Sequence, residues 1–173
     1  LVPLGKEPEI GSIESLLKRS GYKQYSNPQD KDIGAHSSWS KDSKRIFLGP
    51  GKFSIWAYWA ELGLANAGTA TEQLTGLGIP ALSLPGKGPQ FKKSFAKRQS
   101  RLLGGSVITC KSPKVLASRL EFLLKEDSLR NELGQIGVQR MGTAGGSLSI
   151  AVLIKKLLLN DSSDRESTFL KTP

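Results

Sequence analysis

Three short apolar runs, each closed by a glycine-rich loop, constrain the fold of this chain more than any other feature. Continuous apolar runs of this length are typical of strands buried on both faces. After each loop, apolar residues recur every three or four positions, which predicts a helix. Repeated strand–loop–helix units predict an α/β fold, a Rossmann-like parallel sheet with helices on both faces. The runs and their loops are Arg45–Leu48 with Gly49–Gly51, Leu62–Ala65 with Asn66–Thr69, and Ile79–Leu84 with Pro85–Pro89.

The flanking sequence continues this pattern. A fourth strand is predicted at Ser106–Cys110, and the helix after it begins with Ser112 as the cap and Pro113 in the first turn. The other predicted elements are a strand at Leu1–Leu4 and helices near Ile10–Leu17, Phe53–Ala60, Ala70–Leu77, Gln90–Leu103, Ser128–Met141 and Ile150–Leu158.

Two polar segments lack any hydrophobic period. Residues 26–43 are dense in Asn, Asp, Ser and Gly, which predicts a long flexible loop. Residues 160–173 are polar and are predicted to form a disordered tail. Neither segment separates two apolar regions, so we expect residues 1–159 to form one domain.

The charge of the chain favours an anionic partner. The formal net charge is +10 over 173 residues, and a run of cations without any acidic residue occurs at Lys87, Lys92, Lys93, Lys97, Arg98 and Arg101. Such a run is either a solvated helix face or a surface that attracts a diphosphate or an anionic membrane. Nucleic acid is not expected as a partner, because no aromatic residues are interleaved with the cations.

The remaining composition points to a cytoplasmic setting. No run of eighteen consecutive apolar residues occurs, so no membrane span is expected. The single cysteine, Cys110, ends an apolar run; it excludes an internal disulfide, fits a reducing compartment and is expected in the core. The chain opens with Leu-Val-Pro, and we expect it to start inside a larger protein.

No functional role is predicted for the isolated histidine and tryptophan residues or for Tyr58. His36, the only histidine, is expected in solvent within the polar segment. Trp56, Tyr58 and Trp59 lie on one short predicted helix, where core packing is favoured over stacking against a sugar. Trp39 has no predicted role.

The glycine-rich loops are expected to meet at one edge of the sheet. Right-handed crossovers place the carboxyl ends of parallel strands along the same edge, and ligands bind at that edge in open α/β sheets. The three loops that converge there are Gly49–Lys52, Asn66–Thr69 and Gly86–Pro89. This convergence is the first indication of a ligand site.

The segment Ala65–Glu72 predicts a phosphate site. A strand ends, Gly68 permits close approach of a ligand to the backbone, and a helix starts whose free N–H groups and dipole favour an anion. Glu72 follows Thr69 by three residues, which is the signature of a capping box. The carboxylate of Glu72 equally suits hydrogen bonds from ribose hydroxyls, and the spacing leaves both interpretations open.

The segment Pro85–Phe91 offers groups suited to a sugar. Its glycines and prolines fix a loop at the end of a strand, and Gln90 begins the next helix with both a donor and an acceptor. Lys87 adds a cation close to any bound phosphate. Taken alone this segment is weak evidence, because such loops are common at strand ends.

Together these motifs resemble a known family. The sequence from about Leu48 to Leu158 is similar to the lipid-A-disaccharide synthase-related proteins, best known from cyanobacteria, and more distantly to the peptidoglycan glycosyltransferase that adds N-acetylglucosamine to lipid I. The resemblance implies the GT-B architecture, in which two Rossmann-like domains face a cleft and the C-terminal one binds the nucleotide sugar. The motifs that carry it are Asn66–Gln73, Gly76–Pro80, Leu84–Phe91, Gln99–Gly105, Arg140–Gly142 and Gly145–Ser147.

The resemblance assigns roles to the loop residues. It implies a diphosphate at Gly68, Thr69 and Ala70, the ribose at Glu72, the sugar at Gln90 with the Gly86–Gly88 loop, and the base beside Gly51 and Phe53. The implied donor is a UDP-sugar, UDP-N-acetylglucosamine above all, and the implied acceptor is lipid-linked, as in lipid A biosynthesis. Neither a metal nor another cofactor is expected, and no catalytic residue is assigned.

Family members also carry parts that have no counterpart here. An N-terminal domain supplies the acceptor site and the base, and one further strand and helix open the C-terminal domain. We therefore expect a fragment that does not transfer sugar alone, and a gap or free edge in its sheet that favours self-association. The implied location is the cytoplasm, peripheral to the inner face of the membrane. The alternatives are part of an epimerase of GT-B shape, or a non-catalytic module that binds anions or membranes through Lys87–Arg101.

Overall fold

The computed structural model describes residues 1–66, 68–86 and 92–159. The strands in these ranges are β1 (Val2–Leu4), β2 (Lys23–Tyr25), β3 (Ser37–Lys41), β4 (Lys44–Pro50), β5 (Gly63–Leu64), β6 (Ala81–Ser83) and β7 (Val107–Thr109). The helices are α1 (Ile10–Arg19), α2 (Pro28–Asp32), α3 (Phe53–Trp56), α4 (Thr69–Gly76), α5 (Lys93–Leu102), α6 (Pro113–Lys125), α7 (Asp127–Met141) and α8 (Gly146–Ile154). A 3₁₀ turn, Ala57–Trp59, follows α3, and a π-helical segment, Lys155–Leu159, continues α8.

Strands β5, β6 and β7 form the parallel sheet that the apolar runs predict. Their order is β5-β6-β7, and all three residues of the central strand β6 are buried. Leu82 packs with Cys110 and with Leu123 of α6, whereas its neighbour Ala81 packs with Leu103 at the end of α5. Because successive strand residues point to opposite faces, helices cover both faces of this sheet. The α/β class with a parallel sheet is confirmed.

The strands of the first fifty residues form a second, separate sheet, so the prediction of one parallel sheet is wrong. The order is β1-β4-β3-β2, in which β1 and β4 are parallel and the other two pairs are antiparallel. The carbonyl of Leu4 accepts the Gly51 N–H at 2.9 Å, so the backbone of Pro3 faces away from β4. Proline has no N–H to offer there, which suits the outer edge of a sheet. Self-association through such edges stays a prediction.

The predicted flexible loop over residues 26–43 is also wrong in the structure, because this segment contains α2 and β3. Asn27 caps α2 with its side chain, which accepts the Gln29 N–H. A two-residue turn joins β3 to β4 with Asp42 at φ 53°, a conformation that aspartate tolerates better than most residues. Strand β3 appears polar in the sequence although Ser37 and Ser38 are buried, and the hydroxyl of Ser37 is satisfied by hydrogen bonds.

Trp39 of β3 belongs to the core of the first sheet. Its ring packs with Leu4, Leu17 and Leu48, and only 5% of the residue is exposed. The indole Nε1 donates to Ser37 Oγ at 3.1 Å, and that hydroxyl donates to Glu14 of α1 at 2.6 Å. A buried indole N–H needs a partner of this kind. This chain of hydrogen bonds joins α1 to the sheet and accounts for the residue that has no predicted role.

Helix α3 and the turn after it connect the two sheets. Trp56 is buried, its Nε1 donates to the Ile33 carbonyl at 2.8 Å, and a side chain at Gly49 would overlap its ring. Ala57 packs instead with Leu74 and Ile79, next to the second sheet. Core packing is therefore confirmed for Trp56. The same prediction of core packing is wrong for the two aromatic residues that follow Ala57. Tyr58 is 73% exposed and Trp59 is 53% exposed.

Glycines allow α7 to approach α4 at backbone distance. A β-carbon on Gly134 would overlap the carbonyl of Gly78, which follows the end of α4. A β-carbon on Gly137 would collide with Thr75 of α4. Both glycines are buried, and α4 and α7 are extensively in contact. The packing of α7 against the end of α4 therefore depends on the absence of side chains at these two positions.

Replacement of Gly134 by alanine should destabilise the protein. The methyl group meets backbone atoms that cannot rotate away, and overpacking of this kind costs about 1–3 kcal/mol. Gly11→Ala in α1 is the matched control: that position is open, and alanine gains about 0.5–1 kcal/mol over glycine in a helix. Urea denaturation of both variants measures the difference. Equal stability of the two variants would contradict the close packing of α7.

Cys110 should react slowly with thiol reagents in the folded protein. The residue is fully buried after β7, and burial raises the pKa of its thiol above the ordinary value. The raised pKa removes the thiolate near neutral pH, and this preference for the neutral thiol is lost as the pH rises through the folded-state pKa. Alkylation by iodoacetamide at pH 7, with and without denaturant, tests this. Equal rates in the two conditions would place the thiol at the surface.

Candidate functional site

The carboxyl ends of β5 and β6 bring two of the predicted loops together. Asn66 follows β5, and its Oδ1 accepts the backbone N–H of Leu84, just after β6, at 2.9 Å. The two strands are parallel, so this bond fixes the relative position of the loops that leave them. Gly86 lies two residues further along and is exposed at the same edge. The sequence motif contained Asn66 without assigning it this positioning role.

Helix α4 begins at this edge with Gly68 as its cap residue. Gly68 has φ 77° and ψ −165°, a region that is almost exclusive to glycine. Among the described residues, its chain neighbours aside, no atom lies within 4 Å of the position a β-carbon would take, and the cap residue itself has no side chain to close this end of the helix. Thr69 and Ala70 are exposed in the first turn. The structure thus brings Gly68, Thr69 and Ala70 together at an open helix start.

Among the described α-helices, the side chain of the cap residue closes the start of α2 and α6 only. Ser112 Oγ accepts the Val115 N–H at the start of α6, and the side chain of Asn27 accepts the Gln29 N–H at the start of α2. The first N–H groups of a helix carry a partial positive charge that attracts anions. At α4 the glycine leaves room for such an anion to approach the backbone, whereas α6 provides its own acceptor.

The predicted capping box between Thr69 and Glu72 is wrong in the structure. The cap residue is Gly68, one position earlier, and no side chain makes a capping bond. Glu72 is exposed in the first turn, and its Oε1 accepts from Gln99 Nε2 of α5 at 3.5 Å. A separation of 3.5 Å is at the limit of a hydrogen bond, so the interaction is weak. The carboxylate of Glu72 therefore keeps most of its capacity to accept other hydrogen bonds.

Gln99 is the residue that sequence reasoning missed. It lies on the inner face of α5 with Ala96 and Leu103, and only 4% of it is exposed. Its Oε1 is buried without a hydrogen-bond partner among the described residues. Leaving a buried polar atom unpaired costs about 1–3 kcal/mol. A glutamine on the apolar stripe of an otherwise basic helix was the available signal.

The loop after β4 holds Gly51 and Phe53 on the side of α4. Gly51 has φ 67° and donates its N–H to Leu4 of β1. Phe53 begins α3, is half-buried, and packs against the cluster that contains Leu74 of α4. Through Phe53 this loop is joined to the helix that starts at Gly68. A role in binding a base stays a prediction for both residues.

Cations line the start of α5. Lys92 and Lys93 are exposed where the chain returns from the carboxyl end of β6, and Lys97, Arg98 and Arg101 are exposed along the helix. Phosphate groups are attracted to such cations beside a helix start. The predicted residues Lys87, Gly88 and Gln90 lie outside the residues that the structure describes, so their roles stay predictions.

One cavity among the described residues lies elsewhere. It has a volume of about 320 Å³ and is bordered by Tyr58, Pro80 and Arg130, among others, at the amino end of β6. The guanidinium of Arg130 is already bound to the Leu123 and Leu124 carbonyls and to the carboxylates of Glu61 and Asp127. With its cation occupied in this way, the cavity offers less to an anion than the edge at Gly68. Within the described ranges, no three His, Cys, Asp or Glu side chains are grouped to hold a metal ion.

Comparison with family models, with curated proteins and with solved structures finds no match to this chain. The assignment of function therefore depends on the geometry of the edge and on the motifs quoted above.

Loss of the Asn66 side chain should loosen the two loops. Asn66→Ala removes the acceptor for the Leu84 N–H and should cost about 1 kcal/mol of unfolding free energy, whereas Asn66→Asp keeps an acceptor at the same atom. Hydrogen exchange at the Leu84 amide provides the local measurement, with faster exchange expected in the alanine variant alone. An unchanged exchange rate in that variant would show that the bond does not hold the loops.

Proposed function

We propose that the carboxyl edge of β5 and β6 binds the diphosphate and ribose of a UDP-sugar, with UDP-N-acetylglucosamine as the donor. The chain is then the donor-binding part of a GT-B glycosyltransferase related to lipid-A-disaccharide synthase. The observation that carries the proposal is the open start of α4 at Gly68, with Glu72 one turn into the helix.

The phosphate part of the proposal rests on backbone groups. The N–H groups of Thr69 and Ala70 lie at the positive end of the helix dipole, where a diphosphate receives hydrogen bonds without a metal. The glycine at the cap keeps a β-carbon away from the phosphate oxygens. Lys92 and Lys93, exposed at the start of α5, add positive charge on the side of the departing diphosphate.

The ribose part rests on Glu72. A carboxylate accepts hydrogen bonds from two neighbouring hydroxyls, which matches the 2′ and 3′ positions of a ribose. Glu72 gives up only the weak bond from Gln99 when it turns to the sugar. Gln99 itself stays in place, because it is buried on the inner face of α5.

The transferase part requires groups from outside this edge. The acceptor is proposed to be lipid-linked and to bind in a second domain, which also supplies the base. The chain itself contributes donor recognition, through Gly86 and the predicted residues Lys87, Gly88 and Gln90 for the sugar, and through Gly51 and Phe53 for the base.

UDP should stabilise the protein against heat. A ligand at a hundred times its Kd adds about 2.7 kcal/mol to the unfolding free energy, which corresponds to a rise in Tm of about 5–10 °C for a chain of this size. ADP at the same concentration should give a smaller rise. Equal shifts with ADP and with inorganic diphosphate would favour the non-catalytic anion-binding alternative, and no shift with UDP would overturn the proposal.

Glu72→Gln should abolish the recognition of the ribose hydroxyls. The wild-type protein should bind UDP about tenfold more tightly than 2′,3′-dideoxy-UDP, since a hydrogen bond to a charged group contributes about 1.5–3 kcal/mol. The variant should bind both ligands equally. Glu121→Gln, at an exposed glutamate paired with Lys125 on α6, is the control and should keep the preference. Titration calorimetry measures all six affinities, and a preserved preference in the Glu72 variant would exclude this carboxylate.

A further inference from the structure

Helix α8 and the π-helical segment after it form an apolar rod that the other described residues leave uncovered. None of the residues of α8 is buried. The large apolar side chains from Leu148 to Leu158 are about half exposed or more. A helix that is apolar over most of its surface is normally covered, either by protein or by lipid. This rod is therefore an extended apolar surface that the other described residues do not bury.

The rod has two different faces. Ile150, Leu153, Ile154 and Leu157 follow one another at spacings of three and four, so they share one face. Leu148, Val152, Lys155 and Lys156 share the opposite face by the same rule. One face is thus entirely aliphatic, and the other carries two lysines. Each face therefore has a pair of aliphatic residues four positions apart, Leu153 with Leu157 on one and Leu148 with Val152 on the other, and the two pairs can be compared by substitution.

The length of the rod fits the surface of a bilayer rather than its interior. By length and composition, Asp127–Leu158 qualifies as one stretch able to cross a membrane, and none of its apolar window is buried. Gly142 and Gly145, however, interrupt the helix with φ 73° and φ 117°. The nine residues of α8 and the five of the π segment that remain cover about 21 Å, against about 30 Å for a hydrocarbon core. Two adjacent lysines inside the stretch add a further penalty to a spanning arrangement.

Charge around the rod favours an anionic surface. Lys155 and Lys156 lie on the face opposite the aliphatic one, and their long side chains reach the level that lipid headgroups would occupy. Arg140 lies in the last turn of α7, before the rod, and a β-carbon at Gly104, after α5, would lie about 3.0 Å from its guanidinium. The basic helix α5, with Lys97, Arg98 and Arg101 exposed, therefore ends beside the residues from which the rod departs.

We propose that α8 and the π segment lie in the interface of an anionic membrane. The aliphatic face of Ile150, Leu153, Ile154 and Leu157 enters the acyl region, while Lys155 and Lys156 contact anionic headgroups. Helix α5 adds long-range attraction, which is screened by salt. This surface is distinct from the edge at Gly68, and binding there does not require a nucleotide.

Vesicle sedimentation of the complete chain tests this surface. The wild-type protein should sediment with vesicles of phosphatidylcholine containing one third phosphatidylglycerol, and should sediment little with phosphatidylcholine alone. Lys155→Gln with Lys156→Gln should lower the partition coefficient about thirtyfold, since each cation near an anionic surface contributes about fivefold. Raising the salt from about 0.05 to about 0.5 M should also weaken binding of the wild type, because the screening length then falls to a few ångströms.

The two faces of the rod separate this proposal from its rivals. Leu153→Ser with Leu157→Ser should lower the partition coefficient roughly tenfold or more, since burial of each methylene contributes severalfold. Leu148→Ser with Val152→Ser should have a much smaller effect. Equal losses for both pairs would indicate a spanning helix, and no loss for either would remove the rod from the membrane contact. A dimer in solution that Leu153→Ser with Leu157→Ser dissociates, without vesicle binding by the wild type, would assign the face to a second copy.

Folding and nucleotide binding serve as internal checks. Because α8 buries no residue, both serine pairs should leave the Tm unchanged within about 2 °C, an expectation typical of surface substitutions. The UDP-dependent rise in Tm should also persist in them. Vesicle binding by the wild type without a UDP-dependent rise in Tm would support this surface alone. A UDP-dependent rise in Tm without vesicle binding would support the nucleotide site alone.

Discussion

The parallel hydrogen bonding of β6 to both of its neighbours is the constraint on which the rest of the second half of the chain depends. Ala81, Leu82 and Ser83 are buried, and the strand pairs with β5 on one side and β7 on the other. Parallel pairing requires each connection to cross the sheet, so a helix must follow each strand. The same requirement brings the loops after β5 and β6 to one edge, where Asn66 joins them. The position of the candidate site is thus a consequence of strand direction.

Strands buried among apolar neighbours were predictable from the sequence, because their side chains carry the signal themselves. The runs at 45–48, 79–84 and 106–110 all become strands, and the glycine cap at Gly68 is at the start of the predicted helix. Strand β3 was not predictable by the same means. Its buried Ser37 bonds to Glu14, which is 23 residues away in the sequence, and to the indole of Trp39, and neither bond is visible in the sequence pattern.

The residues of the candidate site also divide into those that the local sequence predicts and those that only the fold brings together. Gly68, Thr69 and Ala70 form one local motif, so spacing was sufficient to place them together. The partner of Glu72 was not local. Gln99 reaches it from a different helix, 27 residues later, and no periodicity links the two positions. The exposure of Tyr58 and Trp59 could not be predicted from the sequence either, because both residues lie in the 3₁₀ turn that replaces the predicted continuation of α3.

The two proposed surfaces lie at different ends of α4. The helix starts at the Gly68 edge and ends at Gly76, where a β-carbon would lie 3.7 Å from Met141, the last residue of α7. The apolar rod begins with α8, five residues after Met141. The nucleotide edge and the segment that leads to the rod are thus at opposite ends of α4, a helix of eight residues that is about 12 Å long.

The aromatic residues of the first sixty positions have a further use. Trp39 is enclosed in the core of the first sheet, Trp56 lies in the connection between the sheets, and Trp59 is open to solvent. Each indole therefore experiences a different polarity, and each belongs to a different structural unit. Their emission gives the protein three native spectroscopic labels, which report on the first sheet, on the junction and on the surface without any added dye.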